Sequence, residues 1–314
     1  MRIATFNDRG QTRLGAVAGD RIVDFTALDV SYDNMIALIA EGPQALAHLA
    51  ERVKAAPDTA WTPLANVRLC APLMPSTVLC TGSNYHAHNA EKANTPLSER
   101  EPEFFLKTSD CVIGPEDGIV HDPVVTLKLD LETELAVIIG TPGRHIPVDR
   151  ALDHVFGYTV ANDVTARDRQ VRQTAESFTW YELGRGKAFD TSLPLGPVIL
   201  TKDEVPDPQA LTLRTRINGE LRQQANTSDM IWSCAELIHF FSINFTLKPG
   251  MVILTGTPAG TAWSVDKELG GKWIPADDLV AASRYAEPGD IVESEIAEIG
   301  VLRNPVVGSS GERA

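Results

Sequence analysis

Residues 129–140 read LDLETELAVIIG. The second half, Leu135 to Gly140, is a short run of β-branched and apolar residues that reads as a strand entering a core. The first half carries Glu132 and Glu134 on alternate residues. Side chains in a strand alternate faces with a period of two, so both carboxylates point the same way. Like charges at the edge of an apolar strand repel, and burying them costs desolvation energy unless a positive group sits between them. The stretch predicts a buried sheet and asks for a cation.

A second stretch, GYTVANDVTARDRQ from Gly157 to Gln170, supplies a partner. It arrives as an apolar strand and ends on Asn162 and Asp163, with Arg167, Asp168 and Gln170 close behind. Three strand-end carboxylates (Glu132, Glu134, Asp163) with open positions for water suit a hard, oxygen-seeking ion such as Mg²⁺ or Mn²⁺. A soft-metal site would need thiolates or clustered histidines at ligand spacing, and the sequence has neither. The plainer reading of an alternate-glutamate pair is a solvated face.

Further out, most segments are short, β-branched and bounded by Gly, Pro, Asn or Asp. VIGPEDGIV, GPVILT, LTLRTRING and MVILTG are examples, and they predict a mixed, mainly β (α+β) fold. Residues 1–72 read as a small N-terminal α+β unit, with strands RIATF, LGAVAG and RIVDFTAL and a helix from about Asn34 to Ala55. Residues 73–314 form the main domain. Within it, VDRALDHV predicts a helix capped by Asp149, and Ser228 to Asn244 predicts a longer one with an apolar stripe on Met230, Ile231, Cys234, Leu237, Ile238 and Phe241. Asn218-Gly219 is a two-residue hairpin signal. The polar stretch from Ser264 to Ser283 reads as an insertion or flap, and the tail after Val307 as disordered.

Composition narrows the function. The chain has 314 residues, with 28 Lys plus Arg against 42 Asp plus Glu, a formal charge of −14. An acidic chain with no basic block is poorly suited to nucleic acid or to an anionic membrane. No apolar run reaches the roughly 18 residues of a membrane span. The opening MRIATFNDRG lacks the apolar region of a signal peptide, and the four scattered cysteines form no CxxC pair or disulfide framework. A cytoplasmic location is expected.

Other candidates for chemistry follow. In GSNYHAHNAEK, His88 and Glu91 are three residues apart on a short helix, where a carboxylate can orient an imidazole and raise its basicity. His48, His86, His121, His145, His154 and His239 read as ordinary surface histidines. Lys187, in the Gly-flanked RGKAFDTSLPLGP, can hold a carboxylate or a developing oxyanion. LTGTPAGT, after the strand MVIL, is a Gly-rich turn whose N–H groups can bind a small anion, although its spacing fits neither a Walker loop nor a dinucleotide fingerprint.

In order, these pieces resemble the fumarylacetoacetate hydrolase family. The resemblance spans Val78 to Val307 and rests on N-Y-x-x-H-x-x-E (Asn84 to Glu91), E-x-E (Glu132, Glu134) and N-D-x-x-A-R-D-x-Q (Asn162 to Gln170). It continues in G-K-x-F-D-T (Gly186 to Thr191), P-L-G-P, the N-G-E hairpin and T-G-T-P-x-G (Thr255 to Gly260). It implies a rolled β-sheet catalytic domain and a homodimer. It also implies one Mg²⁺ or Mn²⁺ on Glu132, Glu134 and Asp163, catalytic His88, Glu91 and Lys187, and substrate contacts from Arg167, Gln170 and Thr257. Two positions depart from the family pattern: Met251 stands where relatives often carry a turn aspartate, and Leu131 where an aromatic often precedes the first glutamate.

The activity this resemblance favours is hydrolysis of a 2,4-diketo acid, an acylpyruvate such as fumarylpyruvate, to pyruvate and a carboxylic acid. The complete His88–Glu91 pair is what favours it, because water must be activated. Oxaloacetate decarboxylation and 2-hydroxydienoate isomerisation or hydration are the alternatives within the family. A non-catalytic binding protein of the same fold is the alternative of another class. The segment Ser98 to Phe105 and the 264–283 stretch are the expected walls of specificity.

Overall fold

The computed structural model describes residues 1–92, 100–173, 179–274, 276 and 278–309. Its centre is the stretch read first. Thr133–Ile139 is a fully buried strand, antiparallel to Val155–Asn162 on one side and to Val252–Leu254 on the other. Leu135, Val137 and Ile139 face one core, shared with the Cys234–Asn244 helix, while Ala136 and Ile138 face a second core under the N-terminal helices. Burial on both faces explains why the strand is continuously apolar rather than alternating.

These strands belong to a twelve-stranded sheet that runs from Trp61–Pro63 at one edge to Glu103–Lys107 at the other. Strands from the first 72 residues extend it, because Arg2–Asp8 pairs with Leu193–Thr201. A five-stranded sheet, centred on Ile291–Ile296, packs alongside. The fold is a mixed, sheet-dominated α+β structure. Among the described residues no helix is long and apolar enough to cross a membrane.

The predicted helices are shorter than their patterns. The 34–55 run splits into Met35–Ala40 and Pro43–Lys54, because Gly42 takes φ 82° and Pro43, which lacks an N–H, can only begin a helix. Val148–His154 is a 3₁₀ helix entered from Pro147, and Asp149 sits in its first turn without capping it. The third helix starts at Cys234, six residues later than Ser228, under a capping box between Ser233 and Glu236. The residues before it are drawn out by pairing: Ile231 N donates to Asn84 O, and Trp232 N donates to Asn84 Oδ1, both at 2.8 Å.

The Asn218-Gly219 turn forms as expected, with φ 53° and 81° between paired Ile217 and Glu220. All four cysteines are free. Met251 is buried in the core, and its sulfur accepts from Lys248 N at 3.2 Å. His121 is buried rather than on the surface, with Nε2 3.1 Å from Thr126 O. Ser98 and Glu99, from the expected specificity segment, and residues 310–314 of the tail lie outside the described residues.

Candidate active site

The two glutamates do share a side. Backbone pairing carries on past the strand end, with Asp163 N donating to Glu132 O at 2.8 Å, and this brings Asp163 to the same place. One carboxylate oxygen from each of Glu132, Glu134 and Asp163 lies within 4.8 Å of the others, and all three residues are at most 2 % exposed.

Cations surround the cluster. Arg167 donates to Glu132, to Asp130 Oδ2 at 2.8 Å and to Gln170 Oε1 at 2.7 Å. Lys187 Nζ lies 2.6 Å from Glu132 Oε2, 2.5 Å from Asp163 Oδ2 and 2.8 Å from Thr165 Oγ1. Lys107, fully buried, takes the other oxygen of Asp163 at 2.9 Å and ties down the backbone carbonyls of Lys187 and Ser192. Burial pushes the Glu132 carboxyl up, but Arg167 and Lys187 together outweigh it and hold the group well below the usual range. Glu134 goes the opposite way: burial, then Asp163 and Glu132, push it well above, and Gly256 N at 2.7 Å offsets only part of this.

Lys187 and Arg167 therefore answer part of the question posed by the paired glutamates, and Glu134 is left as a buried carboxylate short of positive charge. The all-oxygen donor set, its burial and that shortage fit a hard divalent ion such as Mg²⁺ or Mn²⁺.

His88 and Glu91 lie beside this cluster. The His86–Ala90 helix is anchored by Asn84, whose Nδ2 donates to Trp232 O at 2.9 Å and Thr255 O at 2.8 Å. His88 Nδ1 is 3.2 Å from Glu91 Oε2, and Glu91 Oε1 accepts from Gly260 N at 2.9 Å. Burial, followed by Lys92, drives the His88 pKa well below the ordinary histidine value, so the ring is neutral at pH 7. Burial also raises Glu91 to about 8.

The Gly-rich turn is used in an unexpected way. Its N–H groups hold the protein's own carboxylates, Glu134 through Gly256 and Glu91 through Gly260. Both glycines have positive φ (90° and 107°), and a Cβ on Gly260 would stand 1.9 Å from Arg222 O. Thr257 is also committed internally: its hydroxyl donates to Thr133 O at 3.0 Å and accepts from Gln223 Nε2 at 2.9 Å.

Sequence reasoning missed Asp130, Lys107 and Trp263. Asp130 accepts from Ala262 N and Trp263 N at 2.9 and 3.0 Å as well as from Arg167. Its only sequence signal was its place two residues before Glu132. Trp263 is nearly buried, with its ring edge-on to His88 at 6.2 Å and 5.1 Å from the Arg167 guanidinium. The 264–283 stretch is therefore not simply a flap at its start, because Ser264 is buried and Trp263, directly before it, lies against His88 and Arg167.

A buried carboxylate cluster, flanking cations and a His–Glu pair meet on a two-core sheet, an arrangement suited to acid–base chemistry beside a divalent ion. Residues 77–307 match the family model described as fumarylacetoacetate (FAA) hydrolase C-terminal, and the chain belongs to that family. It is 36% identical to the mitochondrial oxaloacetate tautomerase of Xenopus laevis over 98% of this chain and 90% of that one. The solved fumarylacetoacetate hydrolase of Exiguobacterium antarcticum superposes with a TM-score of 0.78 at 34% identity, covering 98% of this chain and 99% of the other. Maleylpyruvate hydrolase from Sphingobium sp. SYK-6, in complex with manganese(II) and pyruvate, gives 0.76 at 31% identity, with coverage of 98% and 99%.

Proposed function

We propose that this protein is a divalent-metal-dependent enzyme that moves a proton at C3 of a small 2-oxo acid, with keto–enol tautomerisation of oxaloacetate as its first activity. The observation that carries the reading is His88, buried beside the carboxylate cluster with its Nδ1 3.2 Å from Glu91 Oε2. The similarity to an oxaloacetate tautomerase along nearly the whole chain supports it.

Glu132, Glu134 and Asp163 would hold one Mg²⁺ or Mn²⁺, which supplies positive charge where a 2-oxo acid becomes enolic. In its ionised form Glu91 accepts from His88 Nδ1–H, and this tautomer leaves Nε2 to take the proton from C3. As that C–H bond breaks, its electron pair moves into the C2–C3 bond and the carbonyl π pair moves onto the C2 oxygen. Arg167 and Lys187, which hydrogen-bond the carboxylates, add a positive field that stabilises the resulting charge. Proton return to that oxygen completes the enol, and the reverse sequence regenerates the ketone.

A second reading is hydrolysis of an acylpyruvate such as fumarylpyruvate, and the same His88–Glu91 pair favours it. There His88 Nε2 would take a proton from water as the oxygen attacks the 4-carbonyl. The likeness to maleylpyruvate hydrolase supports this reading. The test is a panel of oxaloacetate and acylpyruvates with Mg²⁺ or Mn²⁺, following enol absorbance and pyruvate release. Enol decay faster than with metal alone, without pyruvate, fits tautomerisation. Pyruvate from an acylpyruvate moves hydrolysis ahead. Rates no better than metal alone on every member reject both.

A further inference from the structure

Arg167, Lys187 and Lys107 each pair with a carboxylate, at 2.8, 2.5 and 2.9 Å. Lys92 differs. It is a partly buried cation on the same wall, yet it forms no ion pair with any carboxylate among the described residues. Its Nζ donates to Ser83 Oγ, which in turn donates to Glu103 Oε2 at 3.1 Å, and it lies 5.7 Å from the centre of the Trp263 ring. That ring is the one flanked by His88 and Arg167.

The position is built. Lys92 directly follows Glu91, and its backbone bridges to Gly271, while Lys272 N donates to Glu91 O at 2.7 Å. Ser83, which steers the ammonium, sits at φ 59°, an uncommon conformation for a non-glycine residue, with its carbonyl accepting from Asn89 Nδ2 at 2.8 Å. An ammonium has three donors, and a partly buried one that meets its nearest carboxylate, Glu103, only through Ser83 is stabilised by an incoming anion. Burial lowers Lys92 to about 8, opposed first by Glu103, which still leaves it mainly charged at pH 7.

We propose that Lys92, steered by Ser83 and Trp263, reads the distal carboxylate of a dicarboxylic 2-oxo acid and so selects diacids over monoacids. This rests on the 2-oxo acid reading of the site. The test compares kcat/KM for oxaloacetate with that for 2-oxobutanoate, followed by C3 proton exchange, on the Mn²⁺-loaded protein. The wild type should favour the diacid. Lys92→Met should cut that preference by about tenfold to a hundredfold, the scale of a lost ionic hydrogen bond, with the loss carried by KM, and Lys92→Arg should restore most of it.

An unchanged preference in Lys92→Met, or equal losses on both substrates that Lys92→Arg does not repair, makes Lys92 a structural strut and overturns the proposal. Should Lys92→Met fail to fold, Ser83→Ala keeps the charge but loosens it. That variant should shift the preference in the same direction, and no shift again overturns the proposal. A wild type that turns over neither acid refutes the reading of the site, whereas equal efficiency on both refutes the role of Lys92 alone.

Discussion

The ammonium of Lys187 stands 2.5 Å from Oδ2 of Asp163, on oxygens that a divalent ion would share. Its charge adds to the positive field at the developing enolate, but it competes with a metal for those ligand atoms. Lys187→Met should therefore hold or increase Mn²⁺ affinity while turnover falls about 10²-fold. Calorimetry with Mn²⁺ alone, beside steady-state rates, separates the two effects. Joint loss of binding and turnover would mean that Lys187 organises the ligands instead.

The Glu134 carboxyl is held well above its usual range by burial and then by Asp163 and Glu132. Glu134→Ala should abolish Mn²⁺ binding and activity without lowering the melting temperature of the metal-free protein. Wild type should melt higher with Mn²⁺ than without, because a ligand that binds only the folded state stabilises it, and the variant should show no such rise. A variant that still gains stability from Mn²⁺ would remove Glu134 from the ligand set.

His88 separates the chemistries. Water attack on an acylpyruvate needs a base, whereas loss of CO₂ from oxaloacetate needs only an electron sink and a later proton donor. His88→Ala should lower hydrolysis or tautomerisation about 10²-fold or more, and any oxaloacetate decarboxylation much less. Both rates are read on one preparation with metal content checked. Parallel losses at full metal occupancy would show that His88 is not the base.

The His88–Glu91 pair also sets a pH signature. Glu91 is raised from 4.5 to about 8, so between those values the unfolded chain has already released a proton that the folded protein keeps. Its contribution to stability is present at low pH and is lost as pH rises from about 4.5 to about 8. His88 is lowered below 6.5, so its penalty appears as pH falls below that value. Urea midpoints with chelator present should fall from pH 5 to pH 8 less steeply in Glu91→Gln than in wild type. Identical slopes would rule out a protonated Glu91.

The homodimer remains a proposal, resting on family membership. The apolar stripe of the 234–244 helix gives no face for it, because Cys234, Leu237, Ile238 and Phe241 are fully buried in the chain's own core. What stays exposed is Phe104 and Leu106 on the edge strand and Ile243 on the nearby helix, at 39%, 43% and 43%. Light scattering at micromolar concentration should give twice the 34.1 kDa chain mass. A monomer mass refutes it.

By itself the sequence determined the sheet-dominated fold, the shared side of Glu132 and Glu134, the Asn218-Gly219 turn and the His88–Glu91 pair, because each depends on periodicity or spacing within a few residues. Tertiary structure decided where charge is neutralised and where helices stop. Lys107 reaches Asp163 across 56 positions and Asp130 meets Trp263 across 133, and local pattern does not encode such contacts. The stripe around Met230 and Ile231 looked helical from its spacing alone. Asn84 draws that segment out by taking its N–H groups, and a backbone hydrogen bond to a distant residue outweighs a weak local preference.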